Sequence, residues 1–179
     1  MPLARGFTLW ELLCTLSVSA LLLGLGVPSF HRFLLDGRRT ADVNAFVLAV
    51  QLARTEAAKR GEAVVLCPSR DGSRCANDEK GYGAGWIVFY DRDSKSPPQR
   101  SDAEPLIYAY RPATTGSIVG NRPYFDFRPT MRRSTNGTLV FCDERGGSAA
   151  RAVIVSYTGR PRVDTVDSDG KRLGCSNSP

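Results

Sequence analysis

The chain has 179 residues, a formal net charge of +6, and one histidine against five cysteines. Its length leaves room for one modest globular core once the apolar N-terminal stretch is set aside. It has no internal repeat or low-complexity tract, and its sole imidazole, His31, stands at the edge of the apolar stretch, so no enzyme, cofactor or metal site is expected.

From Phe7 to Val27 the sequence runs 21 residues with a single charge, Glu11. At 1.5 Å per residue a helix of that length crosses a bilayer. The small residue that could mark a cleavage point, Gly6, stands in front of the apolar run, directly after Arg5, whereas a secretory signal would place it behind. Cleavage there removes a leader of residues 1–6 and keeps the helix, 7–29, in the membrane. A carboxylate in a lipid-facing helix costs about 2.5–3.5 kcal/mol at mid-bilayer and less near an end, so Glu11 is expected to serve a partner rather than to snorkel to the headgroups.

Gly24, Gly26 and Pro28 lie late in the run, where a proline removes a backbone hydrogen bond and is expected to kink or loosen the helix. Asp36 and Gly37 read as an interruption. The rest of residues 30–61 then forms an amphipathic helix, with Val43, Phe46, Val47, Val50 and Ala57 on one side and Arg39, Asn44, Gln51 and Lys59 around the other. Lys59 and Arg60 suit the negative end of the helix dipole, and Gly61 is a natural cap. A continuous helix from 7 to 60 would be roughly 80 Å long.

Residues 62–179 read as a β-rich head. Strands are expected at 63–67, 86–91, 106–111, 124–127, 138–142 and 152–157, with Asn136-Gly137 as a hairpin turn in preference to a glycosylation sequon. Residues 91–104, with Pro97 and Pro98, read as a mobile polar loop. The glycines of GYGAGW lead into a strand rather than a helix, so they do not form a phosphate cradle.

Cys14 falls in the membrane helix, and the head holds Cys67, Cys75, Cys142 and Cys175. An even number points to two disulfides. The loop CPSRDGSRC is rich in turn formers and lets Cys67 meet Cys75, which leaves Cys142 for Cys175. Disulfides place the head in the periplasm or outside. Arginines flank both ends of the membrane segment, so the positive-inside rule does not fix orientation. The charge is uneven: residues 31–110 carry 12 basic and 11 acidic side chains, whereas residues 111–162 carry 9 arginines against Asp126, Asp143 and Glu144. A basic half of this kind fits a polyanionic partner, with a solvated arginine-rich surface as the ordinary alternative.

The opening residues, RGFTLWE before an apolar run, resemble the type IV pilin family of pilins, minor pilins and type II secretion pseudopilins. The resemblance implies cleavage between Gly6 and Phe7 by a prepilin peptidase, N-methylation of Phe7, and pairing of Glu11 with the N-terminal ammonium of a neighbouring subunit during assembly. QLARTEAAKRGEAVVLCPSRDGSRC followed by GWIVFYDRD is similar to the FimT, FimU and GspH branch. That branch implies an α+β type IV pilin fold, a long N-terminal helix packed on an antiparallel β-sheet head. It also implies a single-pass inner-membrane protein with a periplasmic head that passes into a filament or its tip beside other pilins.

Gly159-Arg160-Pro161-Arg162 resembles the GRxR motif of FimT-type minor pilins that bind DNA during natural transformation. Glycine and proline restrict the turn while two arginines project as forks toward adjacent phosphates, with little regard for base sequence. Arg128, Arg132, Arg133, Lys171 and Arg172 are candidate extensions of that patch. Tyr157 could stack on a base, although a place in the core is the expectation. The alternative function is a structural minor pilin or secretion pseudopilin that primes filament assembly without binding DNA.

Overall fold

The computed structural model describes residues 6, 8–76, 81–129 and 134–175. The chain divides into two compact units, Met1–Gly37 and Arg38–Pro179. One helix, α1 (Leu9–Arg60), supplies the first unit and opens the second.

Thr8 caps the start of α1. Its hydroxyl accepts from the Glu11 backbone N–H at 3.3 Å, and the Glu11 carboxylate accepts from the Thr8 N–H at 2.9 Å and the Thr8 hydroxyl at 3.0 Å. Thr-x-x-Glu is a capping box, which satisfies two otherwise unpaired donors at the helix end. Residues 9–34 are all exposed, and an 18-residue stretch of α1 reaches a mean hydropathy of 1.9, so the helix is long and apolar enough to cross a membrane. The interruption expected at Asp36-Gly37 does not occur, and the helix also continues past Pro28, which has no N–H to donate. A glycine costs about 1 kcal/mol inside a helix, and one proline about 3 kcal/mol, which a long cooperative helix tolerates.

In the second unit, β1 (Ala63–Pro68), β2 (Trp86–Asp91), β3 (Leu106–Tyr110) and β5 (Phe125–Phe127) form one antiparallel sheet, ordered β3-β2-β1-β5. A second, ordered β4-β6-β7-β8, contains β4 (Ile118–Gly120), β6 (Gly137–Phe141), β7 (Arg151–Val155) and β8 (Pro161–Asp164). Both sheets turn one face to α1. Val43, Phe46, Val50, Ala53 and Ala57 form the buried helical stripe, and Val64, Leu66, Trp86, Val88, Leu139, Phe141, Val153 and Val155 meet it from the two sheets. Phe46 lies at the centre, edge-on to Tyr82, Trp86, Phe125 and Phe141 with centroids 5.5–6.0 Å away. This arrangement is α+β, a long N-terminal helix packed on antiparallel sheets, as the resemblance implies.

Two charges lie inside this packing, and the first differs from the sequence reading. Arg39, expected on the polar side, is buried beside Asp143 at 3.3 Å and also donates to the Ala149 carbonyl. Arg145 holds the Asp143 carboxyl below its ordinary range through a direct hydrogen bond, and Arg39 adds to the effect. Asp42 is fully buried and accepts from the Tyr110 hydroxyl at 3.0 Å and from the backbone of Ala113 and Thr114, both at 2.9 Å. Burial, reinforced by the bond to Asp42, pushes the Tyr110 phenol up to about 12.

Asn136-Gly137 is not a hairpin turn. Gly137 opens β6 and pairs with Val155, while the preceding strand β5 pairs with β1 in the other sheet, so the dipeptide lies on a crossover. Glycine is needed there for close approach, because a Cβ would stand 2.7 Å from Arg122 Cγ and 2.8 Å from Asn121 Oδ1. Residues 91–104 are tied down at their base. Glu104 is 2% exposed and accepts from the backbone N–H groups of Arg92 and Ser101, each at 2.8 Å.

Candidate nucleic-acid interface

The GRPR segment lies in the hairpin between β7 and β8. Gly159 N–H donates to the Ser156 carbonyl at 2.8 Å, and Ser156 N–H donates to the Arg160 carbonyl at 3.0 Å. With Gly159 at φ +69°, this is a three-residue loop in which a tight turn is followed by a left-handed residue. The Ser156 hydroxyl braces it further, accepting from Arg160 N–H at 3.2 Å and lying 2.9 Å from the Thr158 hydroxyl. The loop also rests on the other sheet: Ser134 N–H donates to the Tyr157 carbonyl at 2.9 Å, and a Cβ on Gly159 would lie 3.3 Å from the buried ring of Phe127.

Pro161 then begins β8, a position where its missing N–H breaks no ladder within the strand. Arg162 stands opposite Ile154, whereas Val163 stands opposite Val153. Val153 belongs to the main core and Ile154 to a separate cluster on the other face, with Cys142, Ala150, Ala152 and Leu173. Strand alternation therefore points Arg162 away from α1, and Arg160, two residues earlier, toward the same side. Both arginines are exposed, and among the described residues neither forms an ion pair. A guanidinium without a carboxylate partner keeps all its donors for an outside anion.

The extensions are unequal. Arg128 is bound to Asp126 at 2.9 Å, which largely compensates its charge. Lys171 and Arg172 are exposed on a small turn in which the Asp167 carboxylate accepts from Lys171 N–H at 2.8 Å, and Asp164 and Asp169 add negative charge to the same segment. Arg132 and Arg133 lie outside the described residues, as does Phe7. Gly6 is exposed, with open space around it.

Cys142 is bonded to Cys175 and Cys67 to Cys75, with Cα separations of 5.9 and 5.6 Å. The first bridge ties the C-terminal segment to the outward face of the second sheet, where Leu173 is buried. In the second loop, backbone N–H groups of Ser73 and Arg74 hold the Asp71 carboxyl well below its ordinary range. Three features escaped the sequence reading, one of them the strand β4, whose three residues are too few to show an alternation. The Thr8–Glu11 capping box was legible as Thr-x-x-Glu before an apolar run. The strand β8, four residues interrupted by proline and charge, carried no signal.

The comparisons agree with this architecture. A family model described as type II transport protein GspH matches residues 42–159, more than half of the chain, and ends immediately before Arg160. The chain is 31% identical over 170 residues to the pilin-like protein PilA1 of Thermus thermophilus, covering 89% of this chain and 98% of that one. Two crystal forms of the type IV minor pilin FimU of Pseudomonas aeruginosa share the fold. Their TM-scores are 0.53 and 0.54 at 18% and 20% identity, covering 76% and 81% of this chain and 97% of theirs. The chain belongs to the FimT/FimU/GspH family of type IV minor pilins and pseudopilins, structural proteins that assemble with other pilins in a filament.

Proposed function

We propose that this chain is a minor pilin of a type IV pilus that binds DNA through backbone phosphates, without base preference, for uptake in natural transformation. The observation that carries the reading is the braced hairpin that presents Arg160 and Arg162, exposed and unpaired, on one side of β8. In this reading residues 1–6 are a leader removed by a prepilin peptidase, and Phe7 is methylated. Residues 7–29 span the inner membrane and later enter the filament core. Residues 30–61 back the head, residues 62–179 face the periplasm, and Glu11 pairs with a neighbour's terminal ammonium.

The test is DNA binding by the full chain in detergent micelles across a range of salt. Each phosphate contact on duplex DNA contributes about 0.9 to the slope of log affinity against log salt, so two contacts contribute about 1.8. Arg160→Ala and Arg162→Ala should each lower affinity for every sequence and reduce the slope by about one, with folding intact by circular dichroism. Unchanged affinity and slope in the double variant would favour the second reading, a structural pilin or secretion pseudopilin, which the match to a type II transport family supports.

A further inference from the structure

Tyr157 occupies the tip of the same hairpin and is not used by phosphate binding. The expectation that it joins the core is overturned: it is 66% exposed. Every other aromatic side chain in the second unit is buried or half-buried, including the remaining five tyrosines. Its exposure does not come from a loose loop. The Tyr157 carbonyl is held by Ser134 N–H at 2.9 Å, and the turn closes on either side of it through Ser156, Gly159 and Arg160.

A ring on a fixed backbone loses little conformational freedom on binding and offers an open π-face. Three and five residues further along the same hairpin, Arg160 and Arg162 carry exposed guanidiniums without carboxylate partners among the described residues. A cationic track for the backbone together with an aromatic platform for the bases is the combination that binds single-stranded nucleic acid. Closed duplex offers such a ring no base face, since its bases already stack on each other. An unpaired base, in a single strand or at a frayed end, does offer one.

We propose that Tyr157 stacks on an unpaired base, so that the hairpin takes single-stranded DNA, or the single-stranded tail of a duplex, in preference to closed duplex. The inference rests on the phosphate-binding reading of Arg160 and Arg162. Electrostatics alone favours the opposite order, because a phosphate contact contributes about 0.9 to the salt slope on duplex but about 0.7 on a single strand. A single-strand preference therefore has to come from a contact that salt does not screen.

The experiment compares oligothymidylate with the same strand paired to oligodeoxyadenylate, using the full chain in detergent micelles. Wild type should bind the single strand more tightly, and the preference should widen as salt rises. Tyr157→Ala should weaken single-strand binding about tenfold and leave duplex binding unchanged, while Tyr157→Phe, which keeps the ring, should behave as wild type. Photocrosslinking to 5-iodouracil placed in the single strand should map to Tyr157. A wild-type preference for duplex, or a Tyr157→Ala loss that is absent or equal on both ligands, overturns the stacking inference. Arg160→Ala/Arg162→Ala separates the two layers: if it loses both ligands while Tyr157→Ala loses neither, phosphate binding stands and stacking fails. If it binds both like wild type, the phosphate reading fails and the inference falls with it.

Discussion

Gly159→Ala tests whether the arginines work as a shaped pair or as loose charge, because it leaves both of them in place. Gly159 has φ +69°, where an L-residue other than glycine costs about 1–2 kcal/mol. The new methyl would also lie 3.1 Å from Ser134 Oγ and 3.3 Å from Phe127 Cδ1, inside the 3.5–4.0 Å optimum for carbon contacts. The serine can rotate, but Phe127 is 1% exposed and packed into the core. Together these give a destabilisation of about 2 kcal/mol. With a urea slope of about 2 kcal/mol/M, the unfolding midpoint should fall by about 1 M. Urea titration of the full chain in detergent, followed by the fluorescence of buried Trp86 in a Trp10→Phe background, reads the shift. DNA affinity should fall as well, since relief of the strain shifts the turn that aims Arg160 and Arg162. Gly159→Asn should recover part of the stability, because asparagine tolerates the left-handed region. An unchanged midpoint in Gly159→Ala, or full DNA affinity alongside the stability loss, would refute the argument that turn geometry governs the site.

The two disulfides should differ in worth. Closing the chain between Cys142 and Cys175, 33 residues apart, should contribute about 4 kcal/mol, and between Cys67 and Cys75, 8 apart, about 2.5 kcal/mol. Paired alanine replacement and urea titration would rank them. At the other end of the chain, replacing Gly6 with a bulky residue should leave the leader attached by mass spectrometry, with wild type beginning at Phe7. Glu11→Ala should be cleaved normally yet enter filaments poorly, and normal filament content would count against its pairing role.

The sequence alone determined the helix, its apolar half and most of the strands, because those depend on local period. Apolar residues at 43, 46, 50 and 57 mark a helical stripe whatever covers it, and 86–91 reads as a strand from its own β-branched and aromatic run. The cysteine pairing followed from the short CPSRDGSRC loop and the arithmetic of four cysteines. Tertiary structure decided what depends on partners distant in sequence. Arg39 looks like a surface residue until Asp143, 104 positions away, makes its burial tolerable. Asn136-Gly137 carries a turn signature, but strand pairing set by the core assigns its flanking strands to different sheets. Tyr157 is as apolar as the tyrosines of the core, and no local pattern separates it from them. Its exposure follows from Gly159 and Ser134, which turn the chain back before the ring can enter the core. The same turn sets Arg160 and Arg162 on the outward side of β8, a placement that comes from pairing with β7 and not from the four residues of the motif.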